Sequence, residues 1–219
     1  MRRHLIIFAK RPIAGYAKTR LGEAIGSEAS AGVYARLLYG YLHSLLCADL
    51  TTLSIELSVA KAEDVPTFEH AFPELDVRPQ IQSDLGRRMA QAFERAFDEG
   101  ADHVVLTGSD IPGLRAPIIR QAFSTLSKTP HPTGPRGVIG PASDGGYYLI
   151  GLTDPCPTLF REIAWSTERV LSETERLAQA CGMTLERLPE LADIDTGADY
   201  DRWMTNVQRR FHKNEPCDD

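Results

Sequence analysis

Six short apolar runs alternate along this chain with stretches of helical periodicity: Leu5–Ala9, Leu53–Ala60, Val77–Gln82, Val104–Thr107, Val138–Gly140 and Tyr147–Leu152. A run such as Val104, Val105, Leu106 is aliphatic throughout, which suits a strand covered on both faces rather than one with a wet side. Between the runs, residues 28–48 carry an apolar face that includes Val33, Leu37, Tyr41 and Leu45. In 85–99 the apolar set is Leu85, Met89, Ala92, Phe93, Ala96 and Phe97, close to a 3.6-residue period. In 167–181 it is Val170, Leu171, Thr174, Leu177, Ala178 and Cys181, with Gly182 placed to cap the C-terminus. A last helix follows Thr196, with Tyr200, Trp203, Val207 and Phe211 on one side. Strands alternating with helices predict an α/β chain with a mostly parallel sheet and right-handed crossovers.

A chain of 219 residues can bury a substantial core. The Pro-rich segment 129–137 reads as a rigid connection inside the scheme, so residues 1–211 form a single domain and 212–219 a frayed tail. A net charge of -6 argues against general binding to nucleic acid or an anionic membrane surface. Cys47, Cys156, Cys181 and Cys217 are widely spaced and form no CxxC pair. The opening MRRHLIIFAK has too short an apolar core for a signal peptide, and no stretch is long enough to span a bilayer. A reducing cytoplasm is the expected compartment.

Chemistry is expected where strands end. In HVVLTGSDIP, residues 103–112, the aliphatic run stops at a small-residue turn and Pro112, leaving Asp110 at the carboxyl edge of a central strand. Ligands of open α/β sheets bind along that edge, and a carboxylate there can hold a hard cation beside a phosphate. The competing reading makes Asp110 a cap for a helix near Pro117. After the first strand, FAKRPIAGYAKTRLG gathers Lys10, Arg11, Lys18 and Arg20 without a single acid, while Pro12 and Gly15 shape a loop. Such a loop suits a di- or triphosphate, although it matches neither GxxxxGK[ST] nor GxGxxG, and a solvated basic turn remains the alternative.

Three further segments carry candidate roles. In GPASDGGYYLIGL, residues 140–152, Asp144 precedes Gly145 and Gly146, which reads either as the acceptor side of a pocket or as a hairpin turn. In LADIDTGADY, residues 191–200, Asp193 and Asp195 share one face of an extended chain. Two carboxylates so close need a cation or one of their pKa values must rise. Thr196 and Asp199 carry the spacing of a helix N-cap. In QSDLGRRM, residues 82–89, Asp84 would cap a helix and Gly86 would let a base or ribose approach. Trp165 is large enough to cover a ligand, or it is a core residue. The six histidines show no ligand spacing for zinc, and Cys156 and Cys181 read as inert buried thiols.

Taken together and in this order, KRPIAGYAKTRL, QSDLGRRM, TGSDIPGL, GPASDGGYYLIGL, AWSTERVL and DIDTGADY resemble the DUF2064 family of the nucleotide-diphospho-sugar transferase superfamily. The likeness runs from residue 10 to about residue 200. It implies a three-layer α/β/α sandwich of the Rossmann-like glycosyltransferase A type, in a group with members linked to arsenosugar synthesis. The group is also similar to the guanylyltransferases of coenzyme F420 and molybdenum-cofactor synthesis. By position, the resemblance makes Lys10, Lys18 and Arg20 the phosphate-binding loop, with Gly15 in its turn. Asp110 becomes the metal-holding acid and Asp195 a second metal-facing group, while Gln82 and Gly86 fall near base or ribose. Gly145, Gly146 and Trp165 lie on the acceptor side. Many sugar transferases present an Asp-x-Asp pair, whereas here Asp110 stands alone between Ser109 and Ile111.

The leading expectation is glycosyl transfer from a nucleoside-diphosphate sugar to a small acceptor, assisted by Mg²⁺ or Mn²⁺, with Lys18 and Arg20 neutralising the leaving group and Asp144 as candidate base. The alternative is nucleotidyl transfer from a nucleoside triphosphate to a phosphorylated acceptor, with pyrophosphate leaving. A third reading is a nucleotide-binding module without turnover. Any of the three could operate as a monomer or a homodimer.

Overall fold

A computed structural model describes residues 1–48, 50, 52–128 and 135–213, with side chains through Arg209 in the last helix. Seven strands form one sheet: β1 (Arg3–Ala9), β2 (Leu53–Val59), β3 (Asp76–Pro79), β4 (His103–Thr107), β5 (Arg136–Pro141), β6 (Tyr147–Leu152) and β7 (Thr184–Arg187). Their order across the sheet is β3-β2-β1-β4-β6-β5-β7. β6 runs antiparallel to both its neighbours and every other pairing is parallel, so the expected mostly parallel α/β architecture is present. The helices are α1 (Thr19–Ile25), α2 (Ser27–Leu46), α3 (Val65–Ala71), α4 (Leu85–Asp98), α5 (Ala116–Leu126), α6 (Val170–Ala180) and α7 (Gly197–Lys213).

The central strands β1, β4 and β6 are largely apolar because the sheet serves two cores. Leu5, Ile7 and Val105 pack with Leu38, Leu42, Phe68 and Ile119 of α2, α3 and α5 on one face. Ile6, Val104 and Leu106 pack with Met89, Phe93 and Ala178 of α4 and α6 on the other. The alternation of neighbouring residues between these two sets is the period of two that a strand imposes. A third, smaller cluster of Leu21, Leu37 and Ile194 seats Tyr200 and Trp203 of α7 against α1 and α2.

Local signals account for three of the helix ends. Asp84 Oδ1 accepts from the Arg87 amide at 2.9 Å and caps α4. Thr196 and Asp199 form a reciprocal box before α7: the Asp199 carboxylate accepts from the Thr196 amide at 2.8 Å, and the Asp199 amide donates to Thr196 Oγ1 at 3.3 Å. Gly182, at φ 68°, ends α6 with the Gly182 amide on the Gln179 carbonyl and the Met183 amide on that of Ala178. Most of the expected strands shift at a boundary by a residue or two, and three differences from expectation have a physical reading or fall at the edge of the described residues. β3 stops at Pro79, which this edge strand tolerates but does not extend beyond. Arg136 and Gly137 belong to β5 rather than to a loop, while 129–134 lie outside the described residues. α7 continues through His212 and Lys213, so the expected tail begins later; Phe211's side chain, Cys217 and the rest of 214–219 also lie outside the described residues.

Candidate functional site

β1 and β4 lie side by side and parallel at the centre of the sheet, with Ile7 level with Thr107, so the segments after them emerge together. A hydrogen-bond chain ties those segments. Ser109 Oγ donates to the Phe8 carbonyl at 2.9 Å, and the Lys10 amide donates to the Tyr34 hydroxyl at 2.9 Å. Since the Ser109 hydrogen is spent on Phe8, the Tyr34 hydroxyl donates to Ser109 Oγ across 2.9 Å. Burial pushes the Tyr34 phenol up to about 12, so it stays a neutral donor. Asp110 therefore leaves a braced turn. It does not cap a helix, because α5 starts at Ala116 and the residue before it makes no side-chain cap.

Lys18 organises the charges. Its ammonium lies 2.8 Å from Asp110 Oδ2 and 2.7 Å from Asp195 Oδ1, joining the basic loop, the β4 turn and the segment before α7. The Lys18 side chain is 4% exposed, against 42% for Asp110 and 37% for Asp195. Burial alone would favour the neutral amine, but the two carboxylates outweigh it and the ammonium is held well above its ordinary pKa. Arg20 reaches only 3.9 Å from Asp195 Oδ2 and stays exposed. Asp193 feels the opposite field: burial first, then Asp195 and Asp144, push its carboxyl up to about 6.

Asp110 divides a continuous cleft into two hollows that share Phe8, Leu85, Gly108 and Trp165. One, of about 370 Å³, is lined by Lys10, Lys18, Tyr34, Gln80, Arg88 and Ser109. The other, of about 290 Å³, is lined by Asp144, Asp193 and Asp195 with Tyr147, Tyr148 and Leu106 as apolar wall. Trp165 stands between them, its ring 6.4 Å from that of Tyr147 in an edge-on contact. Asp144 lies in a hairpin turn and also lines a pocket. Its Oδ1 accepts from the Gly146 amide at 2.8 Å in the turn of the β5–β6 hairpin, and it sits at the pocket rim.

The expected site residues thus divide. Lys10, Lys18, Asp110, Asp144, Gly146, Trp165 and Asp195 line the cleft, and Arg20 lines an adjoining hollow with Asp199 and Arg202. Two glycines and a glutamine serve otherwise than expected, while a third glycine, Gly15, shapes its turn as expected. A Cβ on Gly86 would meet the Phe160 carbonyl at 2.3 Å and the Trp165 indole nitrogen at 3.0 Å, so its bareness admits protein rather than a base or ribose. A Cβ on Gly145 would fall 2.3 Å from the Glu168 carbonyl, again a protein contact in a residue at φ 86°. Gly15 takes φ 75° in the loop with nothing near its Cβ position, so it shapes the turn. Gln82 is exposed, and its amide points to the Ala60 carbonyl at 3.5 Å rather than into either hollow.

Sequence reasoning missed Gln80 and Arg88. Gln80 is buried, donates to the Ser58 carbonyl at 2.7 Å and accepts from Arg88 Nη1 at 2.9 Å. Arg88 Nε is buried without a partner. A signal existed: Arg88 follows Leu85 by three residues, on the stripe of α4 that otherwise carries Met89, Ala92 and Phe93. Among the described residues no three His, Cys, Asp or Glu side chains converge as a ready-made metal site.

Comparison with known proteins fits this geometry. Residues 44–167 match the family model described as an uncharacterized protein conserved in bacteria, DUF2064. The chain belongs to the DUF2064 family. A solved structure of a candidate nucleotide-diphospho-sugar transferase from Desulfovibrio desulfuricans G20 is 32% identical, with a TM-score of 0.84 over 94% of this chain and 87% of that one. The 4-diphosphocytidyl-2C-methyl-D-erythritol synthase from Anaerococcus prevotii DSM 20548 is 11% identical (TM-score 0.57, covering 94% and 96%). The inositol-1-phosphate CTP transferase from T. maritima is 14% identical (TM-score 0.52, covering 98% of each chain). The last two share the fold alone. No curated protein matches the chain. This DUF2064 protein therefore has the α/β fold of the nucleotide-diphospho-sugar transferases, and no helix among its described residues is long and apolar enough to cross a membrane.

Proposed function

We propose that this DUF2064 protein transfers a glycosyl group from a nucleoside-diphosphate sugar to a hydroxyl-bearing small molecule. The observation that carries this reading is the division of one cleft at Asp110 into a cationic hollow and an acid-and-aromatic hollow. The nucleotide half takes the first, where Lys10, Lys18 and Arg88 meet negative oxygens. The sugar and acceptor take the second, where Tyr147 and Trp165 offer ring faces and Asp144 stands as candidate base. The glycosidic carbon–oxygen bond to the diphosphate breaks, the acceptor oxygen bonds that carbon, its proton passes to a carboxylate, and a nucleoside diphosphate leaves. Four acids around the acceptor hollow, Asp110 among them, favour a neutral acceptor over a phosphorylated one, since like charges at close range repel.

Asp110 and Asp195 fit a Mg²⁺ or Mn²⁺ ion, because both present hard oxygens to one point, now taken by the Lys18 ammonium as a stand-in cation. With two carboxylates and no third ligand of the same kind among the described residues, phosphate oxygens of the substrate would complete the set. Such an ion would supply charge neutralisation on the leaving diphosphate. A second reading, nucleotidyl transfer with release of pyrophosphate, is favoured by Asp110 standing without an adjacent acid; its fold is one that the inositol-1-phosphate CTP transferase also has. Phosphorus NMR of reactions with nucleotide sugars and nucleoside triphosphates separates the two. Nucleoside diphosphate as product supports glycosyl transfer; pyrophosphate overturns it in favour of the second reading.

A further inference from the structure

Lys18 holds an uncommon backbone position for its side chain. Its φ of 50° and ψ of 47° are left-handed, at the residue before α1, where it contributes no side-chain cap to the helix. A non-glycine residue keeps such a conformation only where its surroundings hold it there. The Lys18 ammonium is held by Asp110 Oδ2 and Asp195 Oδ1, and both carboxylates are more than a third exposed and line the cleft. A cation bridging those same two oxygens must take the place of the ammonium.

We propose that Lys18 is a built-in counter-ion that keeps the metal seat closed until a nucleotide arrives. Lys18 also lines the cationic hollow with Lys10 and Arg88, so a diphosphate entering that hollow offers the ammonium an alternative set of negative oxygens. Departure of the ammonium frees Asp110 and Asp195 to bind a divalent cation, whose remaining ligands the same diphosphate supplies. Nucleotide and cation then bind with positive coupling, and that coupling is reciprocal. The proposal rests on the reading of this cleft as a nucleotide and metal site. It adds an unexpected sign: removing a cationic residue from the loop strengthens binding of the bare metal.

The test is an electron paramagnetic resonance titration of the full chain with Mn²⁺ alone. Lys18→Met should bind Mn²⁺ about tenfold more tightly than the parent, a shift within the usual range for coupled sites. Lys18→Arg should stay as weak as the parent, because a cation still fills the seat. Arg20→Met, which removes an exposed charge near Asp195, should change the affinity by no more than about twofold. Lys18→Gly, which sheds both the ammonium and the side-chain strain at positive φ, repeats the test if Met disturbs the loop, with circular dichroism as the check on folding. Equal Mn²⁺ affinity in the parent and both Lys18 variants lacking the charge overturns the proposal. So does an equal gain in Arg20→Met, which would mean a general field rather than an occupied seat. Calorimetry with a set of nucleoside diphosphates reads the underlying function separately: no binding of any of them defeats the nucleotide reading, whatever Mn²⁺ does.

Discussion

Two charged triads in this molecule have opposite plans. At the cleft, one cation, Lys18, lies between two carboxylates that are each more than a third exposed. Within the sheet, one carboxylate, Glu56 on β2, is 0% exposed and lies between a guanidinium, Arg95 Nη2 at 2.6 Å, and an imidazole, His4 Nε2 at 3.3 Å. The second triad is closed by α4 on the same face of the sheet as Ile6, with which Glu56 is in register, and it faces no cavity described above. The first opens onto both hollows. Buried charge alone therefore does not mark function here; what marks it is a buried charge whose partners can exchange it for a ligand. The closed triad is expected to govern stability and the open one binding.

The largest expected effect lies in the closed triad. Glu56→Ala leaves Arg95 of α4 with only the more distant Glu99, 3.7 Å away, and should cost stability in urea unfolding toward the lower end of the roughly 3–5 kcal/mol usual for breaking a buried pair. A loss below about 1 kcal/mol would place Glu56 among surface-like pairs and dissolve the comparison. Next comes Gly86→Ala, on the closed side of Trp165. Its new methyl meets a backbone carbonyl, so about 1–3 kcal/mol of stability should be lost by overpacking. Undiminished stability, with loss only of nucleotide binding, would return Gly86 to a ligand role.

A smaller effect is set by pH. For Glu56, burial acts to raise the carboxyl pKa, but bonds to His4 and Arg95 outweigh it and the folded value is lowered from 4.5. A lowered carboxylate pKa stabilises the fold above the unfolded value, and that contribution is lost as pH falls from about 4.5 through the lower folded value. Melting curves should show this decline, and Glu56→Gln should flatten it. An equally steep decline in the variant would assign the acid sensitivity elsewhere. The smallest effect on stability is expected at the open triad. Asp110→Asn keeps Asp195 beside Lys18 and should shift the unfolding free energy by less than about 1 kcal/mol.

How much of this was visible in the sequence follows from range. β6 is bounded as its residues predict, and β4 was missed by one residue, because a buried strand carries its signal in its own side chains. β7 went unseen: Thr184–Arg187 is four residues long, only half-buried at best, and paired with β5 alone. The seven-residue α3 was likewise too short to declare a period. At the site, Asp110 was legible because an acid just after an aliphatic run has a predictable place on a sheet edge. The contact of Lys18 with Asp195 spans 177 positions and depends on α1 and α7 meeting, which no local pattern encodes. Gly86 shows the converse. Its conformational freedom was visible, but what fills the space beside it is Phe160, brought in by a distant turn.

The role proposed for the open triad is to hold a metal and a nucleoside diphosphate at Asp110. Calorimetric titration of nucleoside diphosphates with and without Mn²⁺, into the parent and Asp110→Asn, tests it most directly. The expected result is Mn²⁺-dependent binding in the parent that weakens by about tenfold or more in the folded variant, the scale of losing a charged ligand partner. Affinity unchanged by Asp110→Asn in the presence of Mn²⁺ would contradict it.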